Sequence, residues 1–228
     1  MRAIRTVIPF KADNPKSRLA SVLTEEERKV FVGLCLNHVL FALKEAGISR
    51  IDILSKSILE QDDENALMSL SSTDFEIRII VDASDLNTAV NSYLKAAESP
   101  VLIVMADLAL LKKESIEAMI SPTKHENDSN VSCLNASHLN FVRIAPGKDG
   151  GTNMMFIGAP DVFEVSYYGE SFKKHKEEAK RKKLNCEIYE SFDTAADIDE
   201  PDDLNDILQQ GSGKIFEFIR ERFKSNVE

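Results

Sequence analysis

Three groups of residues in this sequence have the types and spacing for chemistry. The first ends an apolar run: Val101-Leu102-Ile103-Val104-Met105-Ala106 follows Pro100 and stops at Asp107. Such a run reads as a central strand buried on both faces, with Asp107 just past its carboxyl end, where open α/β sheets bind ligands. A carboxylate at the mouth of an apolar strand is costly without a cation or donor, and a metal ion is the partner we expect. The second group is Lys11, Lys16 and Arg18, in a polar loop after a first strand. Lysine offers a point charge and arginine a planar fork, so the loop is suited to phosphates. It lacks the glycines and the G-K-S/T ending of a Walker A loop, and a merely solvated basic loop reads equally well. The third is Asp197-x-Asp199, followed by Glu200-Pro201-Asp202-Asp203. Pro201 and the last two acids suit a helix start. Asp197 and Asp199 precede it and share a face if extended, which makes them candidates to share a hard cation with Asp107.

A weaker signal is Pro146-Gly147-Lys148-Asp149-Gly150-Gly151-Thr152, between short β-like runs at Phe141–Ala145 and Asn153–Ile157. Glycines allow backbone N–H groups to approach an anion, although most such turns are only hairpins. His38, His125, His138 and His175 have no metal-ligand spacing.

The positioning elements follow from pattern. Strands are expected at Ala3–Pro9, Arg50–Leu54, Glu76–Val81 and Cys186–Phe192. Thr24-Glu25-Glu26-Glu27 has capping-box spacing and opens a helix through an apolar Val30–Leu43, stopped by Gly47. So many apolar positions imply burial on more than one face, partly at a subunit contact, which makes a homodimer a candidate assembly. Asp85 reads as an N-cap for a helix through Leu94 and Ala97. Further helices are expected at Lys113–Ile120, Gly169–Leu184 (a basic, solvated face), Asp202–Gln209 and Ile215–Phe223, the last on the outside. Ser121–Asn140 reads as a surface excursion. Strand and helix in this cadence predict an α/β fold with a doubly wound, mostly parallel central sheet flanked by helices.

At 228 residues the chain fits one domain, 1–228. A net charge of −10 opposes loose binding to nucleic acid or anionic membrane, so an anionic substrate has to be met by a local cluster of cations. Three separated cysteines argue against a disulfide framework and fit a reducing cytoplasm. No signal-peptide core or membrane-spanning run is present, and the expectation is a soluble cytoplasmic protein.

Six segments, in order, resemble the 2-phospho-L-lactate guanylyltransferase family: Val7-Ile8-Pro9-Phe10-Lys11, Pro15-Lys16-Ser17-Arg18-Leu19, Val104-Met105-Ala106-Asp107-Leu108, Gly150-Gly151-Thr152-Asn153, Tyr168-Gly169-Glu170-Ser171-Phe172 and Asp197-Ile198-Asp199-Glu200-Pro201-Asp202-Asp203-Leu204. That family is similar to the molybdopterin-guanylyltransferase type of nucleotidyltransferase and makes a precursor of the deazaflavin coenzyme F-420. The resemblance implies a nucleotidyltransferase architecture and transfer of GMP from GTP to 2-phospho-L-lactate. It further implies Mg²⁺ on Asp107, Asp197 and Asp199, and the triphosphate and departing pyrophosphate on Lys16 and Arg18 as catalytic cations. The phosphorylated acid would fall to Lys11, Thr152, Gly169 and Ser171. Asn87 is a candidate to read a guanine edge or to be structural. Two departures affect loop shape rather than charged positions: Ala109 stands where the family tends to carry proline, and the excursion over Thr123–Asn140 is long. Phosphoenolpyruvate or another phospho-acid is the alternative acceptor. A metal-dependent glycosyltransferase would place D-x-D after the central strand, where Leu108 and Ala109 stand instead. A non-catalytic nucleotide-binding regulator would lack some of these charged residues, and all are present.

Overall fold

The computed structural model describes residues 4–11, 13–59, 64, 67–121, 140–208 and 210–225. The expected excursion after Ser121 falls on residues outside this set. A seven-stranded sheet runs in the order β3-β2-β1-β4-β6-β5-β7, built from β1 (Arg5–Phe10), β2 (Arg50–Ser55), β3 (Glu76–Val81), β4 (Val101–Val104), β5 (Phe141–Pro146), β6 (Thr152–Ile157) and β7 (Asn185–Ile188). β1 pairs in parallel with both β2 and β4, so the strand order reverses beside β1. β6 alone runs against its neighbours, pairing antiparallel with β4 and β5 through the glycine-rich hairpin. Its first residue, Thr152, therefore sits at the edge where β4 ends.

β4 is buried on both faces, as its unbroken apolar run requires. Leu102 and Val104 face the cluster under α1 (Glu25–Glu45) and α3 (Lys113–Ile120). Val101 and Ile103 face the opposite cluster, packed by α2 (Leu86–Ala96) and α4 (Ser171–Arg181). The caps hold as expected: Thr24 and Glu27 form the reciprocal capping box of α1, and Asp85 accepts from the backbone of Asn87 and Thr88 at the start of α2.

Most of the apolar excess of α1 is buried within the chain. Leu36, Leu40 and Leu43 face the sheet. Phe31, Val32 and Cys35 join a third cluster with Leu19, Ile198, Leu204 and the residues Ile215, Phe216 and Ile219 of α7 (Lys214–Ser225). The last helix packs on α1 and buries Ile215, Phe216 and Ile219 there. Val30 and Phe41 of α1 stay 52% and 62% exposed. No helix among the described residues is long and apolar enough to cross a membrane.

Because Leu102 is fully buried between β1 and β6, Leu102→Ala is expected to cost about 2–5 kcal/mol. Urea unfolding followed by circular dichroism reads this directly.

Candidate active site

The first site element is the loop after β1. It contains no glycine, yet Asn14 and Lys16 both take left-handed backbone, with φ of 40° and 48°. Each such residue costs on the order of 1–3 kcal/mol, so the surroundings must hold it. Arg28 of α1 does so. Its buried guanidinium donates to the carbonyls of Pro15 (3.0 Å) and Leu23 (3.0 Å) and to the Asn14 side chain (2.9 Å). The short 3-10 helix Ser17–Ser21 that follows drops Leu19 into the third apolar cluster.

The same cluster fixes the acids. Ile198 is fully buried in it, which anchors the segment between Asp197 and Asp199. Asp203, at the start of α6 (Pro201–Leu208), accepts from the backbone N–H of Asp199 and of Glu200, each at 2.8 Å. Its other oxygen pairs with Lys148 of the glycine-rich turn. The α5 turn (Phe192–Ala195) is tied to the hairpin by Asn153, whose amide donates to the Thr194 carbonyl at 3.0 Å.

These anchors bring the loop cations to the acids. The Lys16 ammonium lies between Asp107, which it contacts directly, and Asp199 at 2.7 Å. Arg18 is more exposed and sits 3.6 Å from Asp199 and 3.8 Å from Glu200, pairs loose enough to be exchanged for a phosphate. Burial pushes Lys16 towards neutrality, but Asp107 and Asp199 outweigh it and keep the ammonium charged. Asp197 is the uncompensated member. One of its oxygens is buried without a hydrogen bond, and burial, then Asp107 and Asp199, raise its pKa to about 6. Two cations therefore face four carboxylates: Asp107, Asp197, Asp199 and Glu200. Among the described residues no three His, Cys, Asp or Glu side chains form a ready cage for a metal. A hard cation that keeps waters and takes phosphate oxygens needs only one or two carboxylates, and the surplus negative charge and the orphaned Asp197 oxygen fit such an ion.

The second site element begins at the start of β6, at the strand edge where β4 ends. Thr152 and Ser171 are buried with their hydroxyls 3.3 Å apart, and Thr152 also meets His175 at 2.9 Å. Tyr168, Gly169 and Glu170 all have positive φ, of 74°, 51° and 30°. That run stops the helix expected from Gly169, so α4 begins at Ser171 and ends at Arg181. The Phe172 N–H donates to Gly150 in the glycine-rich turn, docking the start of α4 against it. Left-handed residues other than glycine are expensive and gather at ligand sites.

Not every expected residue joins these two groups. Asn87 spends one bond from each end of its amide on the Tyr167 backbone, accepting at 2.6 Å and donating at 3.3 Å, and so holds this loop. Lys11 is exposed and lines a cavity of about 340 Å³ with Pro15, Lys29 and Val32, outside the hydrogen-bond network of Thr152 and Ser171. A wider concavity of about 980 Å³ opens at the opposite, amino edge of the strands. Its Arg5 and Arg78 are already paired with the buried Asp52. Arg28, Lys148, His175 and Asp203 are supports that sequence reasoning missed. Only Arg28 carried a local signal, a cation in the first turn of a helix, where the macrodipole favours acids.

Asp197→Asn provides a test of the charge surplus. An acid with a raised folded pKa binds protons more tightly when folded, so its destabilising effect is complete above about 6 and fades towards the ordinary value of 3.8. In metal-free buffer the variant is expected to be more stable than the native protein by about 1–2 kcal/mol above that upper pH, the gain shrinking on acidification. Thermal unfolding across this range measures it.

The comparisons with known proteins bear on the chain as a whole. The chain matches the family model described as "Guanylyl transferase CofC like" over residues 4–227. It is 42% identical over 221 residues to a 2-phospho-L-lactate guanylyltransferase of Methanosarcina barkeri, covering 97% of this chain and 94% of that one. The identity to the enzyme of the same name from Methanosarcina mazei is also 42%, with 99% and 96% covered. Among solved structures, a putative nucleotide-diphospho-sugar transferase from Desulfovibrio desulfuricans superposes with a TM-score of 0.71 at 16% identity, covering 98% and 96% of the two chains. A nucleotidyl transferase from Methanothermobacter gives 0.58 at 12%, covering 97% and 100%; both likenesses concern the fold. With its motifs, its sheet and its full-length relatives in agreement, this chain belongs to the CofC-like guanylyl transferase family.

Proposed function

We propose that this protein is a 2-phospho-L-lactate guanylyltransferase acting in coenzyme F-420 biosynthesis. A phosphate oxygen of the acid attacks the α-phosphorus of GTP, the bond from that phosphorus to the bridging oxygen breaks, and pyrophosphate leaves. The observation that carries the reading is the meeting, at the reversal point of the sheet, of Lys16 and Arg18 with a surplus of carboxylates, at the strand edge where the Thr152 hydroxyl, bonded to that of Ser171, also lies. The relatives' name supplies the identity of the acid.

Both reactants are polyanions, so orientation and charge compensation have to supply the rate. Asp107, Asp197 and Asp199 would hold Mg²⁺, which when bound neutralises and aligns phosphate oxygens. Lys16, released from Asp107 and Asp199, binds the triphosphate and stays protonated as pyrophosphate departs. Arg18 exchanges its loose partners for the same group. Lys11, Thr152, Gly169 and Ser171 hold the phosphorylated acid by charge, hydroxyl and backbone N–H.

Pyrophosphate release with each nucleoside triphosphate, against 2-phospho-L-lactate and phosphoenolpyruvate, tests the assignment. The expected result is GTP with a higher kcat/KM for 2-phospho-L-lactate; a clear preference for phosphoenolpyruvate would reassign the acceptor and leave guanylyl transfer standing. Asp107→Asn is expected to lower turnover by on the order of 100-fold or more with the fold intact, and native Mg²⁺-dependent activity in that variant would remove Asp107 from the metal. Lys11→Ala should raise KM for the acid and Arg18→Ala that for GTP. Equal effects on both substrates would mean that the two sites are wrongly divided.

A further inference from the structure

His175 is fully buried on α4 and has no part in the mechanism above. Its Nε2 lies 2.9 Å from the backbone nitrogen of Ser166, and its Nδ1 lies 2.9 Å from the Thr152 hydroxyl oxygen. A backbone N–H can only donate, so Nε2 is an acceptor and carries no proton. The neutral ring must then bear its hydrogen on Nδ1, which donates to Thr152. The opposite tautomer would set two N–H groups against each other. Phe163 and Tyr167 pack on the ring, with centroids at 6.2 and 5.1 Å, the second edge-on, and this packing opposes a ring flip.

The consequence falls on Thr152. Its oxygen receives the Nδ1 hydrogen and, from 3.3 Å, the Ser171 hydroxyl hydrogen. With both lone-pair directions taken, the Thr152 proton must point away from both donors. Thr152 is the first residue of β6, directly after the glycine-rich turn and at the edge that carries Asp107. We propose that His175 is a positioning residue that fixes the Thr152 hydroxyl as a donor, aimed at an anionic oxygen of the phosphorylated acid. This inference rests on the reading of Thr152 as part of the acid pocket. It assigns a function to a histidine whose spacing suggested none, and it makes that contact a directed neutral donor rather than another cation, in keeping with a site that must admit an anion without trapping it.

Long-range ¹H–¹⁵N spectra of the labelled protein at neutral pH are expected to show His175 protonated on Nδ1 and bare on Nε2, assigned by loss of the signals in His175→Phe. The reverse tautomer overturns the proposal. Kinetically, His175→Phe and Thr152→Val should each raise KM for 2-phospho-L-lactate about tenfold or more, the effect of losing one hydrogen bond to a charged group, with KM for GTP unchanged. The double variant should lose no more than either single one. Thr152→Ser, which keeps the hydroxyl, and His175→Asn, whose amide can donate from near Nδ1, should recover much of the loss; these two carry the test if His175→Phe does not fold. Additive effects, or equal rises in both KM values, overturn the proposal. If the native protein turns over no phospho-acid, the proposed function fails and this inference with it. If turnover is normal and His175→Phe leaves KM for the acid unchanged, only the inference fails.

Discussion

The site depends on an electrostatic imbalance held at the reversal point of the sheet. Asp107, Asp197, Asp199 and Glu200 crowd one edge, and Lys16 and Arg18 compensate them only in part. Left alone, such a cluster would be relieved by protonation, as the raised pKa of Asp197 records. It persists because apolar burial elsewhere outweighs the repulsion. Leu19 ties the cation loop, and Ile198 the acid segment, to one cluster under α1 and α7. The opposed charges are held in register by these apolar anchors together with Arg28 on the cation loop and Asp203 on the acid segment.

The cost extends to the backbone. Asn14, Lys16, Tyr168 and Glu170 occupy left-handed conformations without being glycine. The first two are held by the three hydrogen bonds of Arg28. Tyr168 and Glu170 flank a segment held from two sides: Asn87 grips Tyr167, and the start of α4 docks on Gly150. Strain of this kind persists only where surrounding contacts over-determine it.

Two halves result, a charged one around Lys16 and a hydroxyl-bearing one around Thr152. The pair Lys148–Asp203 spans them, since Lys148 precedes Thr152 in the glycine-rich turn while Asp203 also caps the backbone of Asp199 and Glu200. Asp203 thus connects the glycine-rich turn before Thr152 to the carboxylate cluster. Read as a helix-start acid, it keeps that duty and adds this one.

The sequence by itself determined the parts whose cause is local. The apolar run into Asp107 could be buried on both faces only as a central strand, Thr24 and Asp85 announced their helices through capping chemistry, and the polar loop after the first strand had to leave the same edge as Asp107 once the strands were parallel. The six ordered motifs carried the family. What only the tertiary structure decided was how side chains far apart in sequence met: Arg28 on the Lys16 loop, Lys148 on Asp203, His175 on Thr152, Asn87 on Tyr167. It also decided the burial of α7 on α1 and the helix start at Ser171, which Gly169 alone did not reveal because two non-glycine neighbours share its conformation. The division has a physical reason. Periodicity and capping act over a few residues and are written in neighbouring letters, whereas a buried polar group takes whichever partner the packed chain brings within hydrogen-bonding distance.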